Sequence, residues 1–173
     1  MTSIIIFTDG AVPNNQIKGN RTGGVGVFFA QDDPRNISFS IKEKSKVKVT
    51  NQVCELLGCI KALETIISTT IINNNLIEIK TDSMYIVNTI NDWANKWAKN
   101  NWKKADNKSI QNEELIKKLY YLSKNLNVKI THVKAHTSAP NINSSEYFDW
   151  YGNYMADKLA TSAVTKKLVN NNK

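Results

Sequence analysis

A chain of 173 residues, 41% hydrophobic and 22% charged, can bury one sizeable core without disulfides or a structural metal. Its 23 Lys and Arg outweigh 15 Asp and Glu to give a formal charge of +8. That excess favours a polyanionic partner, because basic surfaces attract phosphate and release its counterions. No run approaches the ~18 apolar residues of a membrane span. The opening MTSIIIFTDGA lacks the basic start of a secretory signal, so an intracellular protein with no membrane partner is expected.

In chain order, SIIIFT is a β-branched run that stops at the turn Thr8-Asp9-Gly10. A polar loop, GAVPNNQIKGNRT, leads to a second strand, GVGVFFA (24–30), whose glycines read as easing the start of a strand. NISFSIK alternates from Ile37 to Ile41 and reads as a third, antiparallel strand. A helix follows from about Asn51 to Ser68, with Val53, Leu56, Leu57, Ile60, Leu63 and Ile67 on one face. Cys54 and Cys59 lie on it about 7.5 Å apart along the axis, too far for a disulfide, and read as small buried hydrophobes. LIEIKT (76–81) and VKITHV (128–133) are further strands. Helices are expected at about 83–91, 93–100, 112–125 and Tyr151–Val164, with a polar tail over 166–173. Between the last strand and the last helix, Pro140 and an Asn/Ser-rich stretch say loop, while Tyr147, Phe148 and Trp150 say that part of it packs.

The order βββ-α-β-ααα-β-α predicts an α/β domain over 1–165. Its mixed five-stranded sheet has three antiparallel strands first, then parallel strands, with helices on both faces. Sites in such sheets form at the carboxyl ends of the central strands. Asp9 and Asp82 each follow a strand directly, Glu55 flanks the apolar stripe of the first helix, and Asp157 lies in YGNYMADKLA on the last. Each alone has an ordinary explanation: a turn residue, a helix cap, a solvated helix face.

Together the picture changes. TDGA, TNQVCELLGCIKALE, TDSMYIVNTINDW, VKAH and GNYMADKLA, in that order, resemble the type 1 ribonuclease H family over about residues 4–164. The resemblance implies the ribonuclease H fold and hydrolysis of the RNA strand of RNA/DNA hybrids to 5′-phosphate and 3′-hydroxyl ends. It implies that Asp9, Glu55, Asp82 and Asp157 hold two Mg²⁺ ions, with Mn²⁺ as a substitute, Asp9 bridging both. Hard cations take oxygen ligands, and a pair of them can neutralise the transferring phosphate while activating water. Without metal, four clustered carboxylates would repel one another and some would bind protons.

The same resemblance makes His136, in VKAHTS, the histidine that assists proton transfer or product release. The stretch from His136 to Asp157 is longer than is usual in the family. His132 sits in a β run and reads as a packed or hydrogen-bonded structural histidine. Lys48, Thr50 and Asn112 match a phosphate pocket for the DNA strand, Lys48 standing where arginine is common. Asn51, Gln52 and Trp93 match further DNA-strand contacts, and Met84 a minor-groove residue. NDWANKWAKNNWKKADNK (91–108) falls where the family carries a basic protrusion, about 92–108. Its tryptophans would brace the element, while Lys96, Lys99, Lys103, Lys104 and Lys108 meet backbone phosphates without reading sequence.

The chain begins almost at its first strand, which predicts no extra N-terminal module, and a monomer is expected. Two rivals stand beside the hybrid nuclease: a nuclease of this fold acting on double-stranded RNA or DNA junctions, and a non-catalytic nucleic-acid-binding module. The acidic quartet argues against the second, since a binder gains nothing from negative charge facing phosphate.

Overall fold

A computed structural model of the chain describes residues 3–13, 20–44, 48–69, 76–135 and 137–170, the last five of these by backbone alone. Its elements are β1 (Ser3–Ala11), β2 (Thr22–Phe28), β3 (Ile37–Lys42), α1 (Asn51–Thr69), β4 (Leu76–Thr81), α2 (Met84–Asn88), α3 (Ala94–Lys99), α4 (Glu113–Asn125), β5 (Val128–His132) and α5 (Tyr147–Asn170). The five strands form one sheet in the order β3-β2-β1-β4-β5. β1 runs antiparallel to β2 and parallel to β4. The mixed sheet expected from the element order is the one observed.

Strand alternation decides what lies on each face. Ile6 and Val27 point into a core with Leu56, Ile60 and Leu63 of α1 and Ile116 and Leu119 of α4. Their neighbours Phe7 and Phe28 point the other way, against Ala156 of α5. Helices therefore cover both faces, and the hairpin strands are sandwiched between α1 and α5. Cys54 and Cys59 are free and buried, and the Cys59 thiol lies 3.4 Å from the Thr8 hydroxyl.

Three details depart from expectation. Ile67 is 49% exposed while Ile66 is fully buried, because Cys59, Ala62 and Ile66 carry the α1 stripe one position round. The helices expected at 83–91 and 93–100 meet through a π-helical turn, Thr89–Trp93, where the Ala94 N–H donates to the Thr89 carbonyl oxygen. Asn91 anchors this turn by donating from Nδ2 to the Ile130 carbonyl oxygen at 2.9 Å, a tertiary partner that periodicity does not reveal. α5 begins at Tyr147 and continues to Asn170, so the aromatic end of the expected loop is its first turn. There Phe148 packs edge-on to Phe7 at 5.5 Å, and Asp149 pairs with Lys80 of β4 at 2.5 Å.

Candidate active site

Register places the first two carboxylates together. Thr8 of β1 lies opposite Thr81 of β4 in a parallel pair. The next residue of each strand, Asp9 and Asp82, therefore emerges side by side at the carboxyl ends. Thr81 closes the turn after β4 by accepting the Ser83 N–H on Oγ1 at 3.1 Å.

Glycine brings in the other two. Gly10 has no side chain where α1 crosses β1: a Cβ there would lie 2.6 Å from the Glu55 nitrogen. That close approach sets Glu55 beside Asp9. Gly26, opposite Asp9 on β2, does the same for α5, since a Cβ at this position would overlap the Ala156 carbonyl oxygen. Asp157, the next residue, is thereby held over the end of β1. The glycines expected to ease a strand start instead admit a helix backbone onto the sheet.

Carboxylate oxygens of Asp9, Glu55 and Asp82 lie within 4.8 Å of one another. Asp157 lies near enough to Asp9 for its charge to act on that carboxyl, and all four line one cavity of about 550 Å³ together with Gly10 and Asn51. Although Glu55 only flanks the apolar stripe of its helix, it and Asp9 are each only 7% exposed. Burial pushes the Asp9 carboxyl up to about 7, and the nearby charges of Asp82 and Asp157 add to the rise, against a bond donated by the Gly10 N–H. Glu55 is raised well above the carboxylate range by burial first, then by Asp9 and Asp82. Its Oε2 is buried with no hydrogen-bond partner among the described residues. A buried acceptor without a donor, in a group of mutually repelling carboxylates, fits a divalent cation: hard, oxygen-seeking and positive.

The other predicted residues are spread around this cluster. Thr50 accepts the Val53 N–H on Oγ1 at 3.2 Å, so it caps α1, with Asn51 and Gln52 in the first turn. Lys48 is exposed just before it. Asn112 precedes α4 with φ 59°, and its Nδ2 is buried without an acceptor among the described residues. Met84 opens α2 and is 47% exposed. The Trp93 ring lies 6.0 Å from Trp97 and 6.4 Å from Tyr85. Trp102 packs on Tyr120 and Tyr121 of α4 at 5.6 and 6.0 Å, with Lys117 over its ring. The tryptophans thus brace the basic segment as expected. Of its lysines, Lys96 pairs with Asp92 and Lys108 with Asp106, whereas Lys99, Lys103 and Lys104 form no ion pair among the described residues.

His136 lies outside the described residues, as does the middle of the loop after Pro13. His132, expected to be packed or hydrogen-bonded, is exposed at the end of β5. It opens onto a surface cleft of about 390 Å³ lined also by Lys134, Pro140 and Trp150. Sequence reasoning missed that cleft because its walls come from the end of β5, the loop after it and the first turn of α5, and no periodicity signals their meeting.

Among known proteins, the family model for RNase H matches residues 1–165. The ribonuclease H of Schizosaccharomyces pombe is 33% identical over 162 residues, 94% of this chain and 53% of that one. The ribonuclease H of Clostridium botulinum is 33% identical over 165 residues, covering 95% of this chain and 97% of its own. The chain thus spans about half of one relative and nearly all of the other. Among solved structures, LC9-RNase H1, a type 1 RNase H with the type 2 active-site motif, superposes with a TM-score of 0.69 at 22% identity over 94% of this chain and 72% of that one. The foamy viral protease–reverse transcriptase in complex with RNA/DNA hybrid does so at 0.66 and 19% identity, over 92% of this chain and 19% of that one. No helix among the described residues is long and apolar enough to cross a membrane. The sequence match covers nearly the whole chain, and the fold and the carboxylate cluster agree with it: the chain belongs to the RNase H family, with a type 1-like domain.

Proposed function

We propose that this chain is an endoribonuclease that hydrolyses the RNA strand of RNA/DNA hybrids, leaving 5′-phosphate and 3′-hydroxyl ends. One observation carries the reading: in a chain of this family, Asp9, Glu55 and Asp82 gather within 4.8 Å and Asp157 faces the same cavity. Family membership implies divalent metal, and the finer assignment is two Mg²⁺ ions held by the four carboxylates. When bound, such ions supply charge neutralisation at the scissile phosphate and a more acidic water.

The chain's own residues supply position. Asp9, set beside both Glu55 and Asp157, would be shared by both ions; Asp157 would serve the side of the attacking water, and Glu55 with Asp82 the side of the leaving oxygen. Glu55 also accepts from a 2′-hydroxyl beside the cut, which distinguishes RNA from DNA. Met84 lines the minor groove. Lys48, Thr50 and Asn112 take a phosphate of the DNA strand, a role that suits the unpaired buried Nδ2 of Asn112, with Asn51, Gln52 and Trp93 along the same strand. His136 moves a proton or speeds product release. Lys99, Lys103 and Lys104 provide the sequence-independent affinity of the protrusion, helped less by Lys96 and Lys108, whose charges are already paired. The 1–165 region is the catalytic domain and the rest a tail.

Asp9→Asn is the direct test. It removes the charge but keeps the shape, so circular dichroism should be unchanged while turnover disappears; substantial Mg²⁺-dependent activity in the variant refutes the bridging role.

A further inference from the structure

Described residues between β5 and α5, together with one face of α5, build a surface beside the carboxylate cluster. Trp150 and Tyr154, one turn apart on α5, stack with centroids 5.4 Å apart and planes 8° from parallel. Trp150 is fixed by its indole N–H, which donates to the Thr137 carbonyl oxygen at 3.0 Å, while Tyr154 stays 46% exposed. The pair walls a cleft of about 220 Å³ with Lys134, Thr137, Asn153 and Asp157. Asp157 also lines the carboxylate cavity, so the two spaces adjoin. Asn153 is only 6% exposed and its Oδ1 has no hydrogen-bond partner among the described residues. A buried acceptor left unmatched by its own protein points to a donor from outside. Lys134 is exposed and forms no ion pair among the described residues.

Resting on the hybrid-nuclease reading above, we propose that this cleft holds an unpaired nucleotide of the RNA strand at the border of the hybrid. Its base stacks on Tyr154 and its phosphate lies at Lys134. Bases inside a duplex have both faces covered by their neighbours, so a free aromatic face can be used only by a base outside the stack. Ribose carries in its 2′-hydroxyl the donor that Asn153 lacks. The wall shared with Asp157 assigns the cleft to the strand being cut. Stacking tolerates any base, so the effect is a preference for hybrid ends and junctions, without a sequence preference.

The test compares KM for a blunt hybrid with that for the same hybrid carrying a short RNA overhang at its 5′ or 3′ end, or a DNA overhang. The RNA overhang at one end should lower KM on the order of five- to tenfold, within the range of one stacked base. A DNA overhang should not. Tyr154→Ala should erase the gain and Tyr154→Phe keep it, with blunt-hybrid cleavage unchanged in both. Equal KM for blunt and RNA-tailed hybrids, an equal gain from DNA, or a gain that survives Tyr154→Ala overturns the inference while leaving the nuclease reading intact. Absence of cleavage of every hybrid overturns that parent reading instead. A second readout needs only the unaltered protein: 2-aminopurine placed in the RNA overhang should be quenched on binding, and unchanged fluorescence contradicts stacking.

Discussion

At the scale of single residues, the site is defined by carboxylates that the fold makes uncomfortable. Asp9 is pushed from 3.8 up to about 7, so the folded chain binds that proton more tightly than the unfolded chain does. Below about pH 4 both states are protonated and the group costs nothing; as pH rises from 4 to 7 the unfolded chain gives up the proton that the folded chain keeps, so stability falls, and the full cost of the buried charge is reached above 7. Asp9→Asn escapes this cost. Without metal it should melt higher than the parent at pH 8, on the order of 5 °C, and the gap should close towards pH 4 in thermal melts. Added Mg²⁺ should raise the melting temperature of the parent at pH 8 and leave Asp9→Asn nearly unmoved. The carboxylates were legible because strand ends and motif order mark them. The burial of Glu55 was not: it follows from Gly10 letting α1 approach β1, and a helical wheel does not contain the strand.

At the scale of elements, α5 shows what the chain conceals. Its start at Tyr147 instead of Tyr151 depends on the Phe148–Phe7 contact and the Asp149–Lys80 pair, both tertiary, so local sequence reads as loop. Gly26 is its seat. Gly26→Ala should drive the Ala156 backbone off β2, cost about 1–3 kcal/mol in denaturant melts and lower kcat by displacing Asp157. The basic segment was legible in composition and in the role of its tryptophans, but the ion pairs at Lys96 and Lys108 were not, since they depend on side-chain reach. Neutralising Lys99, Lys103 and Lys104 together to Gln should raise KM and flatten the dependence of log KM on log salt by about 0.9 for each phosphate no longer neutralised, with kcat little changed. Trp102 holds that segment to α4 despite a left-handed backbone, φ 57°. Trp102→Ala should therefore raise KM in the same way, by misplacing the lysines and not by removing their charge.

At the scale of the whole molecule, two opposite fields share one surface. The chain carries +8 overall, yet concentrates four carboxylates at the carboxyl ends of β1 and β4 and the helices above them. Net charge draws a polyanion in; the acidic cavity rejects phosphate until cations occupy it. On the proposed function, that division makes the metal requirement and the salt dependence separable, and it argues against a pure binding module. The most direct measurement is cleavage of an end-labelled RNA/DNA hybrid beside a matched DNA duplex, each with Mg²⁺ or with EDTA. Fragments should come from the RNA strand of the hybrid with Mg²⁺ alone; cleavage that persists in EDTA, or equal cleavage of the DNA duplex, contradicts a metal-dependent hybrid nuclease.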